Sequence, residues 1–410
     1  MRANLRLGVV LGVLLLVTLS VALIQCAGKA STKTDSRGAA YADPKSCMQC
    51  HKDLSKSYAH TSHFNTSKSL TDHQLPNGLK ADSSVFVFNE SLKIRVEKQA
   101  DGQYQTAYWN GKQQRSARTD VVFGAGAKAF TFACWDGDVL KQLPLSYFNE
   151  IHNWANSPGF PLQQANFDRA IVSRCLECHS SYAEKRFVKA GSLAVTQEFD
   201  QKTLIYGIDC QRCHGPAAQH VTYHQENPND KQAKFMVRYD TLTRQQKVDV
   251  CAVCHSGNDR EMQKSTFGFK PGDTLSRYTL PFGNSSNTPD VHGNQANLLA
   301  LSKCYANSAV MTCTTCHDPH KKEVTGKLSF AQKCITCHKT ETHNYCKMAP
   351  KLGAAIDTKC IDCHMPAMPS KLITYQATAA KQVSAYYLHT HKIAVYPDQT
   401  KQIIAFINQH

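Results

Sequence analysis

The sequence predicts a mainly helical and irregular chain that carries an antiparallel β-rich insertion near residues 84–148, and three observations predict it. Seven copies of a C-x-x-C-H motif are spread through 410 residues. One copy stands at 47–51 and six run from 175 to 364, so a long motif-free stretch divides the first from the rest. Within that stretch the hydrophobic pattern turns to the two-residue alternation of strands, punctuated by turn dipeptides.

The motifs are Cys47-Cys50-His51, Cys175-Cys178-His179, Cys210-Cys213-His214, Cys251-Cys254-His255, Cys313-Cys316-His317, Cys334-Cys337-His338 and Cys360-Cys363-His364, and they take 14 of the 18 cysteines. Two thiols at this spacing reach the two vinyl groups along one edge of a haem, and the next residue sets its imidazole on the iron as proximal ligand. A zinc half-site or a redox dithiol also uses C-x-x-C, but neither asks for His directly after the second Cys in every copy. Seven covalently bound c-type haems are therefore expected, with these cysteines as attachment points and His51, His179, His214, His255, His317, His338 and His364 as proximal ligands. The fold class is that of a multihaem cytochrome c, haem-cored and mainly α and irregular outside the insertion. Only 42% of the chain is hydrophobic, so porphyrin faces are expected to supply much of the apolar interior.

From the N-terminus, Arg2 and Arg6 precede an apolar run from Leu7 to Ile24, the layout of an export signal over residues 1–26. Cys26 closes the run, as the acylated Cys of a lipoprotein signal would, although Gln25 stands where a small residue is usual. Cleavage after Ala30 and retention as a single membrane span are the two alternatives. Each leads out of the cytoplasm, to the periplasm or a periplasm-facing membrane. Residues 27–44 are polar and read as a flexible linker, followed by a first haem segment at 45–83.

The insertion opens with Val85-Phe86-Val87-Phe88, and Leu92, Ile94 and Val96 then alternate with polar residues. Asp101-Gly102, Asn110-Gly111 and Asp136-Gly137 are hairpin turn signals, and Gly124-Ala125-Gly126 reads as a glycine bend. Residues 149–410 form the expected six-haem domain, with helices from Thr243 to Cys254 and from Ser329 to Cys337, and loops at Lys270-Pro271-Gly272-Asp273 and Pro281-Phe282-Gly283-Asn284. Such close motif spacing leaves little protein between neighbouring haems. The formal charge of +15 is scattered, with no dense basic helix, and is read as pairing with haem propionates; nucleic acid is not expected as a partner. Outside the motifs, Cys134 reads as a buried thiol, and Cys304 and Cys346 as partners in a disulfide.

Several segments resemble the cytochrome c-552/c-554-like multihaem family. They are Tyr58 to His63, Cys210-Gln211-Arg212-Cys213-His214-Gly215-Pro216 with His220, Met311-Thr312-Cys313-Thr314-Thr315-Cys316-His317-Asp318-Pro319-His320, Asn153-Trp154 through Gly159, and Cys360-Ile361-Asp362-Cys363-His364-Met365-Pro366. The resemblance covers most of the chain after residue 40 and implies a superfamily that holds tetrahaem electron carriers, pentahaem nitrite reductase and octahaem hydroxylamine oxidoreductase. It also implies distal ligands. His60, His63, His220, His292, His320 and His391 match family positions, and His224 and His343 complete the candidates, with His389 a rival to His391. His73, His152 and His410 read as ordinary histidines, and Met365 and Met368 as packing residues.

Two histidines on an iron saturate it and lower its potential relative to His/Met. The expected function is an electron-transfer relay through largely bis-His haems, serving redox partner proteins of the respiratory chain, with membrane association through a lipid anchor at Cys26. The alternative is an oxidoreductase with one open iron acting on a small nitrogen or sulfur compound such as nitrite or hydroxylamine. The Lys that replaces the proximal His in pentahaem nitrite reductases has no counterpart here, since every motif ends in His.

Overall fold

The computed structural model describes residues 35–70, 75–76, 79, 84–190, 194–257, 262–279, 289–323, 327–342 and 345–409. The expected export signal with Cys26, the loop at 281–284, and His73, His343 and His410 lie outside these residues.

Two short helices, α1 (Pro44–Cys50) and α2 (Lys52–Tyr58), carry the first motif. Pro44 stands in the first turn of α1, where its missing N–H costs nothing, and the Asp43 carboxylate accepts from the Lys45 amide. Strand β1 (Ser67–Ser69) follows, and then β2 (Ser84–Val87), β3 (Leu92–Gln99), β4 (Gly102–Trp109) and β5 (Lys112–Arg118) form a four-stranded antiparallel sheet. Leu92, Ile94 and Val96 of β3 are buried in alternation, as the pattern predicts. Asn110 and Gly111 both adopt positive φ (48° and 77°) in the two-residue turn that joins β4 to β5, which is why Asn-Gly occupies it.

A second sheet holds β6 (Val121–Phe123), β7 (Ala129–Asp136) and β8 (Val139–Phe148). It reaches beyond the expected 84–148 insertion at both ends. Strand β1 pairs with β6, while β9 (Asn153–Asn156) and β10 (Arg169–Ala170) both pair with β8. These additions cover backbone edges that would otherwise stay open. The bend at Gly124–Gly126 joins β6 to β7, and a side chain at Gly124 would stand 2.3 Å from the Ala129 carbonyl oxygen. The two sheets share a core of Phe86, Ile94, Phe132, Leu143, Leu145 and Phe167, in which Trp154 stacks at 5.2 Å on Phe132.

A second cluster, including Val121, Leu140 and Phe199, buries Leu176 of α3 (Ser173–His179), so the β module seats the second motif. Next come β11 (Ser180–Tyr182), which pairs with β14 (Ile205–Tyr206), and the hairpin of β12 (Lys185–Ala190) and β13 (Ala194–Phe199). Helix α4 (Cys210–His214) carries the third motif and α5 (Ala218–Glu226) follows it. Helix α6 (Arg244–His255) begins at the predicted Thr243, whose side chain accepts from the Gln246 amide while the Gln246 side chain accepts from the Thr243 amide.

The remaining helices are short: α7 (Gln295–Ala300), α8 (Lys303–Ala306), α9 (Lys327–Ile335), α10 (Ala349–Leu352) and α11 (Cys360–His364). Helix α9 starts and ends two residues before the expected 329–337 span, so Cys334 is helical while Cys337 and His338 lie in the turn beyond. A last hairpin, β15 (Ala367–Tyr375) with β16 (Ser384–His389), docks Tyr375 and Tyr386 on Phe148, and α12 (Pro397–Gln409) ends the description. Between Ser302 and Ile361 the only buried hydrophobic residues among those described are Ala331 and Ile356. The described residues of that stretch carry the fifth and sixth motifs with almost no protein core of their own.

Candidate haem sites

Five motifs lie on α-helices, where the two cysteines, three residues apart, share one face and His follows one residue later. The fifth occupies a 3-10 turn at Cys313–Thr315. The motifs also meet one another. Cys47 stands next to Cys210, Cys178 next to Cys254, Cys251 next to Cys313 and Cys334 next to Cys360, each close enough for the two thiols to perturb one another. Cys213 lies within electrostatic reach of Cys251 and Cys254, and Cys316 of Cys334 and Cys337. The motif cysteines therefore approach in a sequence that is not the order of the chain.

The imidazoles form a second pattern. His51 and His220 have ring centres 6.4 Å apart with planes 14° from parallel; His214 and His320 stand at 5.8 Å and 19°, and His317 and His391 at 6.2 Å and 22°. His63 and His255 are 6.1 Å apart but nearly perpendicular, at 85°. A metal–imidazole bond is about 2 Å, so two imidazoles on opposite sides of one iron have ring centres roughly 6 Å apart. In each pair one ring belongs to a motif and the other to a candidate distal residue. A related influence links His292 to His179, whose pKa falls to about 4 through burial first and His292 second.

Burial and neighbouring imidazoles also hold His63 and His391 down to about 4, and lower His214 and His292. The neutral ring is the form that binds metal. Several rings have Nδ1 engaged elsewhere: His179 with Thr66 Oγ1 at 2.9 Å, His220 with the Lys234 carbonyl at 2.9 Å, His255 with Gln295 Oε1 at 3.2 Å, and His364 with the Ala394 carbonyl at 2.9 Å. His317 has Nδ1 2.8 Å from a Glu323 oxygen. A ring tethered at Nδ1 presents Nε2 to a metal in a fixed orientation. The two cysteines on one face of each helical motif, the paired imidazoles and the tethered Nδ1 atoms together make a donor set that fits haem.

Other candidates sit differently. His60 is exposed after α2 and enters none of these pairs. His224 lies 4.5 Å from His220, beside it rather than across from a motif, and its buried Nε2 has no hydrogen-bond partner among the described residues. His389 is exposed at the end of β16, with Nδ1 2.6 Å from the Met365 carbonyl. Cys304 and Cys346 are both free thiols, against the expected disulfide: Cys304 acts on Cys316 and Cys334, whereas Cys346 acts on Cys363. Cys134 is buried, and burial pushes its thiol up to about 11, as a structural thiol requires.

The segment bearing His63 reaches the third motif through a backbone contact. The Ile208 amide donates to the His63 carbonyl at 3.0 Å, and Gly207 (φ 65°) passes so close that a side chain there would stand 2.1 Å from the Phe64 carbonyl oxygen. Sequence reasoning missed three charged residues in and beside the motifs. Glu177 and Arg212, each between the two cysteines of its motif, are 2% and 7% exposed, and Arg174 adjoins Cys175. Charge at a position pressed between two attachment cysteines was the available signal.

No family model matches the chain. Over 205 residues it is 25% identical to multiheme cytochrome MtrA of Shewanella baltica (strain OS185), a match covering 50% of this chain and 48% of that protein. The chain thus spans about half the length of this curated relative. The structure is similar to that of the outer cell wall cytochrome OcwA, with a TM-score of 0.55 and 16% identity over 89% of this chain and 82% of the other. The fold is accordingly that of a multihaem cytochrome, with helices and antiparallel sheets.

Proposed function

We propose that this chain is an exported heptahaem c-type cytochrome, of the cytochrome c-552/c-554-like type, that relays electrons in the periplasm or at a periplasm-facing membrane. The observation that carries the proposal is the set of four motif imidazoles that each face a second imidazole, from a remote segment, at 5.8 to 6.4 Å. On this reading His220 stands opposite His51, His320 opposite His214, His63 opposite His255 and His391 opposite His317, with His292 opposite His179. Bound haem supplies one-electron chemistry, and the residues of the chain govern access to it. At those five sites an imidazole on each side would leave no position for a substrate, which favours relay over catalysis there.

The thiol contacts support a path. The first motif adjoins the third, the third the fourth, the fourth the fifth, the fifth the sixth and the sixth the seventh, while the second branches from the fourth. Its terminal haems would exchange electrons with redox partner proteins, and acylation at Cys26 would hold the relay at a membrane.

Mass spectrometry of the mature protein is expected to give seven attached haems and a lipidated Cys26. EPR of the ferric protein is expected to show low-spin iron throughout. A high-spin haem whose signal changes with nitrite or hydroxylamine would overturn the relay reading in favour of an enzyme.

A further inference from the structure

Where the second, third and fourth motifs meet, the protein buries charge. Arg212, on α4 between Cys210 and Cys213, is 7% exposed. Its Nη2 donates to the Glu177 main-chain carbonyl at 3.0 Å and reaches Thr266 Oγ1 at 3.5 Å, while Nε and Nη1 are buried with no hydrogen-bond partner among the described residues. A guanidinium is always protonated, so this is a fixed positive charge in a poorly solvated place.

The neighbouring charges are paired with one another rather than with Arg212. The Glu177 carboxylate accepts from Ser265 at 2.8 Å, Thr266 at 2.9 Å and Ser173 at 3.3 Å, with Arg174 Nη1 3.8 Å away. Lys185 Nζ touches this group through Ser173 Oγ at 3.0 Å. On the other side, Arg37 is clamped by Asp35 at 2.8 Å and Asp209 at 2.5 Å, one negative charge in excess. Asp209 in turn caps the Arg212 amide at 2.9 Å. Among the described residues no carboxylate pairs with the Arg212 side chain, which sits within electrostatic reach of Cys178, Cys213 and Cys254, one thiol from each of three motifs.

We propose that Arg212 is a potential-setting residue, a fixed cation at the junction of the second, third and fourth haem sites that makes the haems there easier to reduce than the rest of the path. The proposal rests on the relay reading. An electron arriving at an iron lowers its charge by one, and a buried cation nearby stabilises that reduced state more strongly than an exposed one could. The same charge, left without a full set of acceptors, costs folding energy, which gives its presence in so enclosed a place a functional sense.

The test is a potentiometric titration of the holoprotein followed by its haem absorption bands, for wild type, Arg212→Gln and Arg212→Lys. Arg212→Gln is expected to move at least one reduction wave to lower potential, with seven haems still attached by mass and iron still low-spin. Arg212→Lys is expected to restore most of the shift, because it returns the charge without the planar donor fork. Unchanged waves in a fully loaded Arg212→Gln protein would overturn the proposal. If that variant fails to load haem, Glu177→Gln decides: it keeps acceptor capacity, removes the opposite charge at the same junction, and is expected to shift a wave upward, whereas no shift overturns the proposal. Failure of the relay reading would appear separately, as high-spin iron in the unmodified protein.

Discussion

The imidazole of His63, from the turn after the first motif, stands perpendicular to that of His255 in the fourth, at 6.1 Å and 85°. The other three measured pairs lie within 22° of parallel. Ring orientation decides how the two imidazoles interact with the iron d orbitals: perpendicular rings leave two of these nearly degenerate, and parallel rings split them. One haem is therefore expected to give a highly anisotropic low-spin EPR signal and three a rhombic one. His63→Ala should abolish the anisotropic signal and create a high-spin haem while leaving the rhombic set; survival of that signal would reject the pairing.

Gly207 holds the His63 segment in place through its positive φ and its approach to the Phe64 carbonyl. Gly207→Ala combines a strained backbone with a clash, and is expected to cost on the order of 1–3 kcal/mol of stability in a denaturant titration. It should also weaken the anisotropic signal, since on the proposed ligation the displaced turn carries the ligand His63. Destabilisation with an intact signal would mean that Gly207 does not position His63.

Acid should release the buried histidines. His63, His179 and His391 have folded pKa values of about 4, below the usual histidine value of about 6.5. Between those values the unfolded chain binds more protons than the folded one, so the contribution of these rings to stability is present above about pH 6.5 and declines as pH falls toward about 4. Iron binding favours the same neutral form and pushes ligand release lower still. An optical acid titration is expected to hold the low-spin spectrum through pH 5 and convert it to high-spin near or below pH 4. Conversion centred near pH 6.5 would show rings that are neither buried nor ligated.

The β module should be the most stable part of the protein. Phe132 is fully buried against Trp154, and Phe132→Ala is expected to cost about 3–5 kcal/mol. Thr243→Ala, which removes the capping hydroxyl of α6, is expected to cost about 1 kcal/mol. Thermal unfolding of both holoproteins measures the difference, and a larger loss at Thr243 would place the weight of folding around the fourth motif instead.

Much of this was readable in the chain because local rules govern it. Asn110-Gly111 needs no tertiary partner to demand a type I′ turn, and Thr243 with Gln246 closes its capping box within four residues. The extra edge strands were not readable: Ser67-Lys68-Ser69 and Arg169-Ala170 are short and polar, and become strands only because β6 and β8 offer open edges. The candidate distal residues were found by their likeness to a family, but which motif each one faces depends on how the chain returns. His63 follows the first motif and faces the fourth, a relation set by β14 and Gly207 rather than by sequence distance. Cys304 and Cys346 misled for the same reason, since flanking two motifs in sequence says nothing about meeting in space.

The paired imidazoles carry a consequence for how the protein is made. On the proposed ligation, His51 waits for His220, and His317 for His391, each far downstream of the motif it completes. A chain threaded through a membrane from its N-terminus would receive its first haem well before that haem could gain its second imidazole. During export the nascent protein would then hold irons open to water, oxygen and small anions, and would lose that reactivity only as the later segments arrived and folded. Biogenesis would pass through a stage chemically unlike the finished relay, closed in steps as the downstream histidines emerge.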